Sequence, residues 1–501
     1  MKLVQESFST RYAIKIISSI LIALLNVVVQ LLLPRTFSIT EYGYYSYNLN
    51  VFTAIVTIFN LSASDALVSK FSKNNNDNGY VILYFCFLAV VSFILNVGTT
   101  IIYILDIVQD SFTGQTLYII LLGLNAAIVR KLLTDIVSIY DALAFSKIPA
   151  FWQIIQKILI TVFVFIGYLM GILNLCVFYI FQILTILFVS IILLFMLFSH
   201  YKKKLNNVTK RYVIEYVKEY VTFCRPLVIS TIIAQGIIIL KNWALMKWSG
   251  VTSSAIFGVA LQLNVIISYV FSPYAELLKR EFAVIYHEKD VLYFKLQQSL
   301  KVMSWLVSFF CVFIAVNAHD ILFFLFGEKY LSAAFVTQLI MVYTIYQSWG
   351  QVLGSFMLAI EKTKVYAMHS VFTNVISLIL VYIFQIPNFI WEKGLGASGM
   401  AWSYTIGNVF SVTGLLFLVL KGCKVSFSHV VKGLIISILV CFGCSMFPYL
   451  LLNNFFDENN LIMLRILCSG LIYCVLIMFI LIRNPELIGI NLISIIKNRT
   501  R

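Results

Sequence analysis

Apolar positions fall along this chain in long blocks, each of about twenty residues or more, divided by short polar stretches. A helix needs about 20 mostly apolar residues to cross the hydrocarbon of a bilayer. That criterion predicts fourteen spans, at 13–33, 44–67, 80–104, 116–140, 148–170, 173–199, 222–247, 254–278, 297–318, 331–360, 364–387, 395–421, 429–452 and 461–483. The divisions between spans 5 and 6 and between spans 7 and 8 are the least marked. Lipid offers no partner to an open backbone N–H or C=O, so spans must be helices or the strands of a closed barrel. Barrel strands need only about 9–11 residues, roughly half the length of these blocks. The expected fold class is therefore an all-α integral membrane protein of about 14 transmembrane helices.

Composition agrees. Of 501 residues, 61% are hydrophobic and 11% are charged, against about 25% charged in a soluble domain. So few charges cannot coat the surfaces of soluble domains, and disordered, fibrous and secreted classes are excluded. The net charge of +15 admits two explanations, nucleic-acid binding or the positive-inside bias of a multi-span protein. Placing both termini in the cytoplasm puts 27 of the 36 Lys and Arg residues at inner segments and span ends. Four lie in outer loops (Arg35, Lys247, Lys329, Lys393) and five within spans (Arg130, Lys131, Lys157, Lys241, Arg465). Basic groups spread over eight inner segments speak for orientation and against a nucleic-acid partner. The first apolar run is too long for a signal-peptide core of about 7–15 residues, and no small-x-small cleavage site follows; it reads as an uncleaved first span.

Catalysis finds little support. The five histidines (His200, His287, His319, His369, His429) lie at loops or span ends without partners at ligand spacing. The pair Cys441 and Cys444 sits inside an apolar segment with no second pair, which favours packing over metal or redox chemistry. No Walker-type phosphate loop is present, so direct use of ATP is not expected. No cofactor is expected either, apart from Na+ or H+ as a coupling ion. Two inner loops are longer than the rest. Residues 200–221 carry Lys202, Lys203, Lys204, Lys210, Arg211 and Lys218, with Tyr212, Val213, Tyr216, Val217 and Tyr220 at helical spacing. This reads as an amphipathic helix on the inner membrane surface, and Lys279–Lys301 looks similar.

An internal repeat organises the spans. Ala142–Lys147, between spans 4 and 5, matches Met357–Lys362, between spans 10 and 11, at three of six positions. The same offset of 215 carries Gly43, at span 2, onto Gly258, at span 8. A six-span unit is even, so both copies keep one membrane orientation and are related by an axis along the membrane normal. The expected organisation is an N-terminal six-helix lobe (1–199), a cytoplasmic amphipathic linker (200–221) and a C-terminal six-helix lobe (222–421). Two appended helices and a cytoplasmic tail (422–501) follow, and the two parallel lobes enclose a central cavity.

Three junctions carry a family likeness. Leu33-Pro34-Arg35-Thr36-Phe37-Ser38-Ile39-Thr40-Glu41-Tyr42-Gly43 resembles the "Leu-x-Pro/Glu-Glu-Tyr-Gly" junction of polysaccharide flippases. Leu325-Phe326-Gly327-Glu328-Lys329-Tyr330 resembles their "Leu-Phe-Gly-x-x-Tyr" before span 10, and Gly394–Ala401 their "Gly-x-x-Gly-Ala-Ala" opening of span 12. The chain thus resembles Wzx-like flippases of the multidrug/oligosaccharidyl-lipid/polysaccharide (MOP) exporter superfamily, which includes the MATE-like exporters. The resemblance implies a transporter and not an enzyme. It implies movement of an undecaprenyl-pyrophosphate-linked O-antigen or capsule repeat unit across a bacterial cytoplasmic membrane by alternating access. It also implies membrane lipid, a glycan polymerase and a chain-length regulator as partners. A cation-coupled multidrug exporter shares the fold and would have a more acidic or aromatic cleft. A membrane glycan polymerase would need a large loop with charged catalytic residues, and none is present.

Charges inside the spans supply candidate chemistry. An ionised side chain at mid-bilayer costs about 2.5–3.5 kcal/mol on insertion scales, so such groups should face water or an acid. Arg130 and Lys157 lie at similar depth, about ten residues from the inner ends of spans 4 and 5, and Lys241 is expected to face them from the other lobe. Together with Lys131 these cations would hold a pyrophosphate in place of its hydration shell. Gln153, Asn26, Gln30 and Asn125 are candidate sugar-binding amides, with Asn60, Gln262, Asn264 and Asn374 beside them. Each amide has the alternative role of joining helices. Lys131 and Asp135 are spaced i,i+4 and have the alternative of a structural pair. Asp65 and Asp135 are the acids nearest the spans that could couple a cation. Arg465 is expected to snorkel or to pair within the appended helices, and Arg11 and Lys15 read as orientation signals.

Overall fold

The structure, a computed structural model, describes residues 8–64, 66–67, 78–106, 112, 114–143, 145–201, 210–391, 394–421, 427–453 and 461–487. Fourteen long helices follow one another through them. They are α1 (Phe8–Thr36), α2 (Ile39–Phe59), α3 (Asn78–Ile104), α4 (Leu117–Ala142), α5 (Lys147–Met170) and α6 (Leu175–Tyr201). A single run, Lys210–Val284, is divided by Gly250 (φ 77°) into α7 and α8. Then come α9 (Lys289–Val316), α10 (Ala334–Ala359), α11 (Thr363–Gln385), α12 (Gly396–Leu420), α13 (Phe427–Asn453) and α14 (Ile462–Arg483). A short helix, Ala318–Phe326, lies between α9 and α10. The described residues form no sheet, only an isolated bridge between Pro387 and Trp391.

Eleven helical stretches are long and apolar enough to cross a membrane, with α7 and α8 falling in one stretch, Thr231–Val284. Two helices, α2 and α10, are more polar and stand outside that set. Their polar side chains are shielded: Ser46 and Asn48 in α2, and Thr337, Thr344 and Ser348 in α10, are all buried. A helix covered by protein does not need an apolar surface to lie at membrane depth.

The chain divides into two compact units, Met1–Ala255 and Ile256–Arg501. In the first, α4 packs on α2, α3 and α6, and α5 packs on α1 and α6. In the second, the contacts of α4 with α3 and α6 and of α5 with α6 recur six helices later. There α10 packs on α9 and α12, α11 packs on α12, and α8 is joined to α10 by bonds from Asn264 to Thr344 and Gln347, both 2.8 Å. The two final helices belong to the second unit. Helix α13 packs on α9 and α14, and Tyr473 of α14 donates its hydroxyl to the Phe309 carbonyl at 2.9 Å.

Three local expectations change. Span 2 is not one helix: α2 stops at Phe59, and Leu61 and Ser62 take left-handed backbone (φ 52° and 57°) before the chain turns helical again at Ala63. Lys279–Lys301 is not a separate surface segment. It is the end of α8 and the start of α9, tied by Lys295 Nζ to Glu281 Oε2 at 3.0 Å. Its charges belong to two helix ends with exposed tips, which a sequence pattern does not separate from a surface helix. Residues 202–209 lie outside the described residues, and from Lys210 the chain is already in the helix that becomes α7. Tyr220 of that helix is buried against the core of the first unit with Cys224.

Candidate functional site

The site is built on α4 and α5. Arg130 and Lys157 are both half-buried, and they act on each other electrostatically as like charges. Arg130 Nε donates to the Ala126 carbonyl one turn back, at 3.1 Å. Among the described residues neither cation has a carboxylate partner. Arg130 also lies within electrostatic reach of the Tyr179 hydroxyl on α6. Two cations within electrostatic reach of each other in apolar blocks, without a carboxylate partner among the described residues, repel each other and attract an anion. Gln153 precedes Lys157 by one helical turn and is half-buried on α5. Helix α5 leans on α1 near Leu25, whose carbonyl accepts from Thr161 Oγ1 at 3.4 Å. Asn26 and Gln30, half-buried and one turn apart, follow on α1.

The remaining candidates are placed elsewhere. Lys241 is buried on α7, in the same compact unit as Arg130 and Lys157, and the charge acting on Lys157 is that of Arg130. Its neighbour Asn242 accepts from Asn50 Nδ2 of α2 at 3.3 Å. Asn125 is engaged with Asn96 of α3 in a reciprocal amide pair (2.9 and 3.3 Å), which joins α3 to α4. Lys15 pairs with Asp141 at 2.7 Å, fastening the start of α1 to the end of α4. Asp65 lies outside the described residues.

Lys131 turns away from Arg130 into a closed ring of side chains. Its ammonium donates to Asp135 Oδ1 at 2.8 Å and to Ser64 Oγ at 2.9 Å. Ser64 donates its hydroxyl and its backbone N–H to Asn60 Oδ1, at 3.1 and 3.2 Å. Asn60 Nδ2 donates to the Tyr84 hydroxyl at 2.8 Å, and that hydroxyl donates to Asp135 Oδ2. Asp135 is 1% exposed and both its oxygens accept bonds from within the ring. Asn60 was legible as a candidate amide within a span, though not in this ring, and Ser64 and Tyr84 were not legible as functional residues. A tyrosine in an apolar run carries no spacing signal, and only Lys131 and Asp135 announce themselves by their i,i+4 relation.

The junction before α2 has a physical explanation. Ser38 Oγ accepts from Glu41 N at 3.1 Å while Glu41 Oε2 accepts from Ser38 N at 3.0 Å, a capping box. Glu41 Oε1 also accepts from Leu175 N at the start of α6, at 3.4 Å. Gly43 lies directly against the backbone of Val251, just past the break at Gly250, and Ser254 Oγ reaches the Gly43 carbonyl at 3.5 Å. The Leu325–Tyr330 motif likewise closes a junction: Tyr330 is fully buried and meets Phe326 edge-on at 6.3 Å. Loss of the α2 cap in Ser38→Ala is expected to cost about 1 kcal/mol, read as a lower thermal midpoint of the purified protein. An unchanged midpoint would show that the box does not hold the helix end.

These features define a class: a multi-helix membrane protein with two similarly packed units, polar helices inside each, and an uncompensated cationic pair in the first. No family model and no curated protein sequence matches the chain. Solved structures do match. Lipid II flippase MurJ in an inward closed conformation aligns over 94% of this chain and 98% of its own, with a TM-score of 0.68 and 16% identity. An inward-facing multidrug resistance MATE family transporter of the MOP superfamily aligns over 81% of this chain and 96% of its own, with a TM-score of 0.64 and 12% identity. The likeness is one of fold: the chain shares the fold of these two proteins.

Proposed function

We propose that this protein is a flippase, not an enzyme, and that it carries an undecaprenyl-pyrophosphate-linked oligosaccharide across the bacterial cytoplasmic membrane by alternating access. The observation that carries this reading is the Arg130–Lys157 pair, two half-buried cations without a carboxylate partner among the described residues. A diphosphate offers several anionic oxygens. Arg donates to them through a planar fork, and Lys donates as a compact point charge. Drug-like cations would be repelled by the same pair, which disfavours the multidrug exporter. Gln153, Asn26 and Gln30 would meet the sugars nearby, and Lys131 and Asn125 would support the site from within their own bonds. The acyl tail would stay in lipid, and both termini would be cytoplasmic. O-antigen or capsule repeat units fit this chemistry, with a glycan polymerase and a chain-length regulator acting downstream. Without ATP chemistry, drive would come from Na+ or H+ or from removal of the product, with Asp135 and Asp65 as the candidate coupling acids.

The test is binding and transport together. Arg130→Ala and Lys157→Ala should each weaken binding of a polyprenyl diphosphate to the purified protein about 10- to 100-fold. That range corresponds to about 1.5–3 kcal/mol for a hydrogen bond to a charged group. Binding of the uncharged polyprenol should not change. The same variants, shown to insert in the membrane, should fail to restore surface glycan in a flippase-null cell. Wild-type binding and wild-type glycan in both variants would remove the cationic site. Tight binding of organic cations in place of the diphosphate would favour the exporter.

A further inference from the structure

Helix α2 is interrupted at a place that holds neither glycine nor proline. Asn60 caps the helix, and Leu61 and Ser62, neither glycine nor asparagine, then occupy left-handed backbone in succession. A branched or bulky residue rarely takes that conformation, and it persists where the surroundings over-determine it. The surroundings are identifiable. On one side Asn60 and Ser64 flank the break and belong to the closed ring with Tyr84 of α3 and with Lys131 and Asp135 of α4. On another, Ser62 Oγ lies 3.2 Å from Thr231 Oγ1 of α7. Beyond the break, Ala66 and Leu67 are fully buried against Tyr84, Ile136 and Tyr140. The break is thus held by directional polar bonds to three helices. Such bonds have discrete made and unmade states, whereas apolar packing deforms with little direction.

We propose that the Asn60–Ser62 break is a hinge of the transport cycle, and that the ring of Asn60, Ser64, Tyr84, Lys131 and Asp135 is its latch. These are positioning residues; the substrate meets Arg130 and Lys157. The link to substrate is one of sequence adjacency and charge, and in this it rests on the functional reading above. Lys131 follows Arg130 in α4, so a diphosphate at Arg130 attracts the Lys131 ammonium in competition with Asp135, across a short, poorly screened distance. Loosening Lys131 releases Ser64, and with it one of the two arms that fix the break. The substrate's own charge then unlatches the helix beside its site. No bound coupling ion is needed at Asp135 while the latch is closed, because the ammonium already occupies it.

The test uses the full-length protein in proteoliposomes, with a fluorescent polyprenyl diphosphate trisaccharide as the probe. Ser62→Cys combined with Thr231→Cys places two thiols across the break. After oxidation, transport should fall at least tenfold relative to the reduced form and to each single-cysteine variant, and should return with reductant. Binding of the probe should stay within twofold. A crosslinked protein that transports as fast as the reduced one overturns the hinge. A second variant, Lys131→Met with Asp135→Leu, removes the latch without leaving a buried charge, a replacement that buried ion pairs commonly tolerate. Its thermal midpoint should stay near that of the wild type while transport falls at least tenfold, and wild-type transport by this variant overturns the latch. A wild-type protein that moves no probe at all overturns the functional reading and the hinge's role with it. A wild type that moves the probe, with a crosslinked form that moves it equally, overturns the hinge alone.

Discussion

Arg465→Ala is expected to lower the stability of the purified protein by about 3–5 kcal/mol, the usual cost of removing one partner of a buried ion pair. The guanidinium of Arg465, on α14, binds Asp320 Oδ1 on the short helix after α9. Asp320 is 2% exposed, and His319 Nδ1 lies 3.6 Å from the same oxygen on the solvent side. The carboxylate sits in the first turn of its helix, where a negative charge is favoured, but a helix end alone supports far less than a full charge. Without Arg465 the buried acid is left without its principal counter-charge. The double variant Arg465→Met with Asp320→Leu should recover most of the loss, because it removes both charges and keeps the volume. Thermal or denaturant unfolding in detergent reads the difference. A single variant as stable as the wild type would mean that water reaches Asp320 and that the pair is not a fastening. The pair reaches outside the two appended helices, contrary to the expectation that Arg465 snorkels or pairs among them. It pins α14 to the body of the second unit.

How much of this was legible depends on which physics is local. The cost of an open backbone in lipid is paid residue by residue, so apolar block length alone located all fourteen helices. Boundaries were legible only where a polar loop intervened. The α7–α8 division blurred because a single glycine, Gly250, makes it inside an otherwise unbroken helix. Because it holds neither glycine nor proline, and a lone Asn60 or Ser62 in an apolar run is a weak turn signal, the α2 break was not legible. Partners distant in sequence impose it, among them Tyr84, 24 residues from Asn60, and Asp135, 51 residues from Tyr84. Within the site, Arg130 and Lys157 stood out because an ion in an apolar block is costly wherever it points. What each cation faces was not legible: adjacent residues on a helix project about 100° apart, and so Arg130 lies within electrostatic reach of Lys157 while Lys131 bonds Asp135. The amides were the least readable. Asn125 and a sugar-binding amide look alike until Asn96 is found opposite.

Gly43→Val and Gly98→Ala should act in opposite directions, and the contrast tests whether the α2 junction is a true backbone contact. At Gly43 an added Cβ would collide with the carbonyl oxygen of Val251, and it would stand 2.6 Å from Val251 Cγ2 and 3.2 Å from the carbonyl carbon. A rotamer change relieves the methyl but not the backbone, so α2 or the turn after Gly250 has to move. The capping box at Ser38 and the bond from Leu175 N to Glu41 resist movement of α2, and the Gly250 backbone (φ 77°) resists movement of the turn. Overpacking of this kind commonly costs about 1–3 kcal/mol and sometimes more. With backbone on one side and a larger branched residue on the other, Gly43→Val belongs at or above the top of that range. Such a penalty disfavours the conformation in which α2 and the Val251 turn touch by a factor of a hundred or more, at about 1.4 kcal/mol per tenfold. Gly98, inside α3 towards its C-terminal end, has nothing within 4 Å of an added Cβ. Gly98→Ala there should stabilise by about 0.5–1 kcal/mol through helix propensity alone. Thermal midpoints of the two purified variants, with Gly43→Ala as the intermediate case, give the sign directly. A Gly43→Val protein that melts at or above the wild-type temperature would mean that α2 and the Val251 turn are not held against each other.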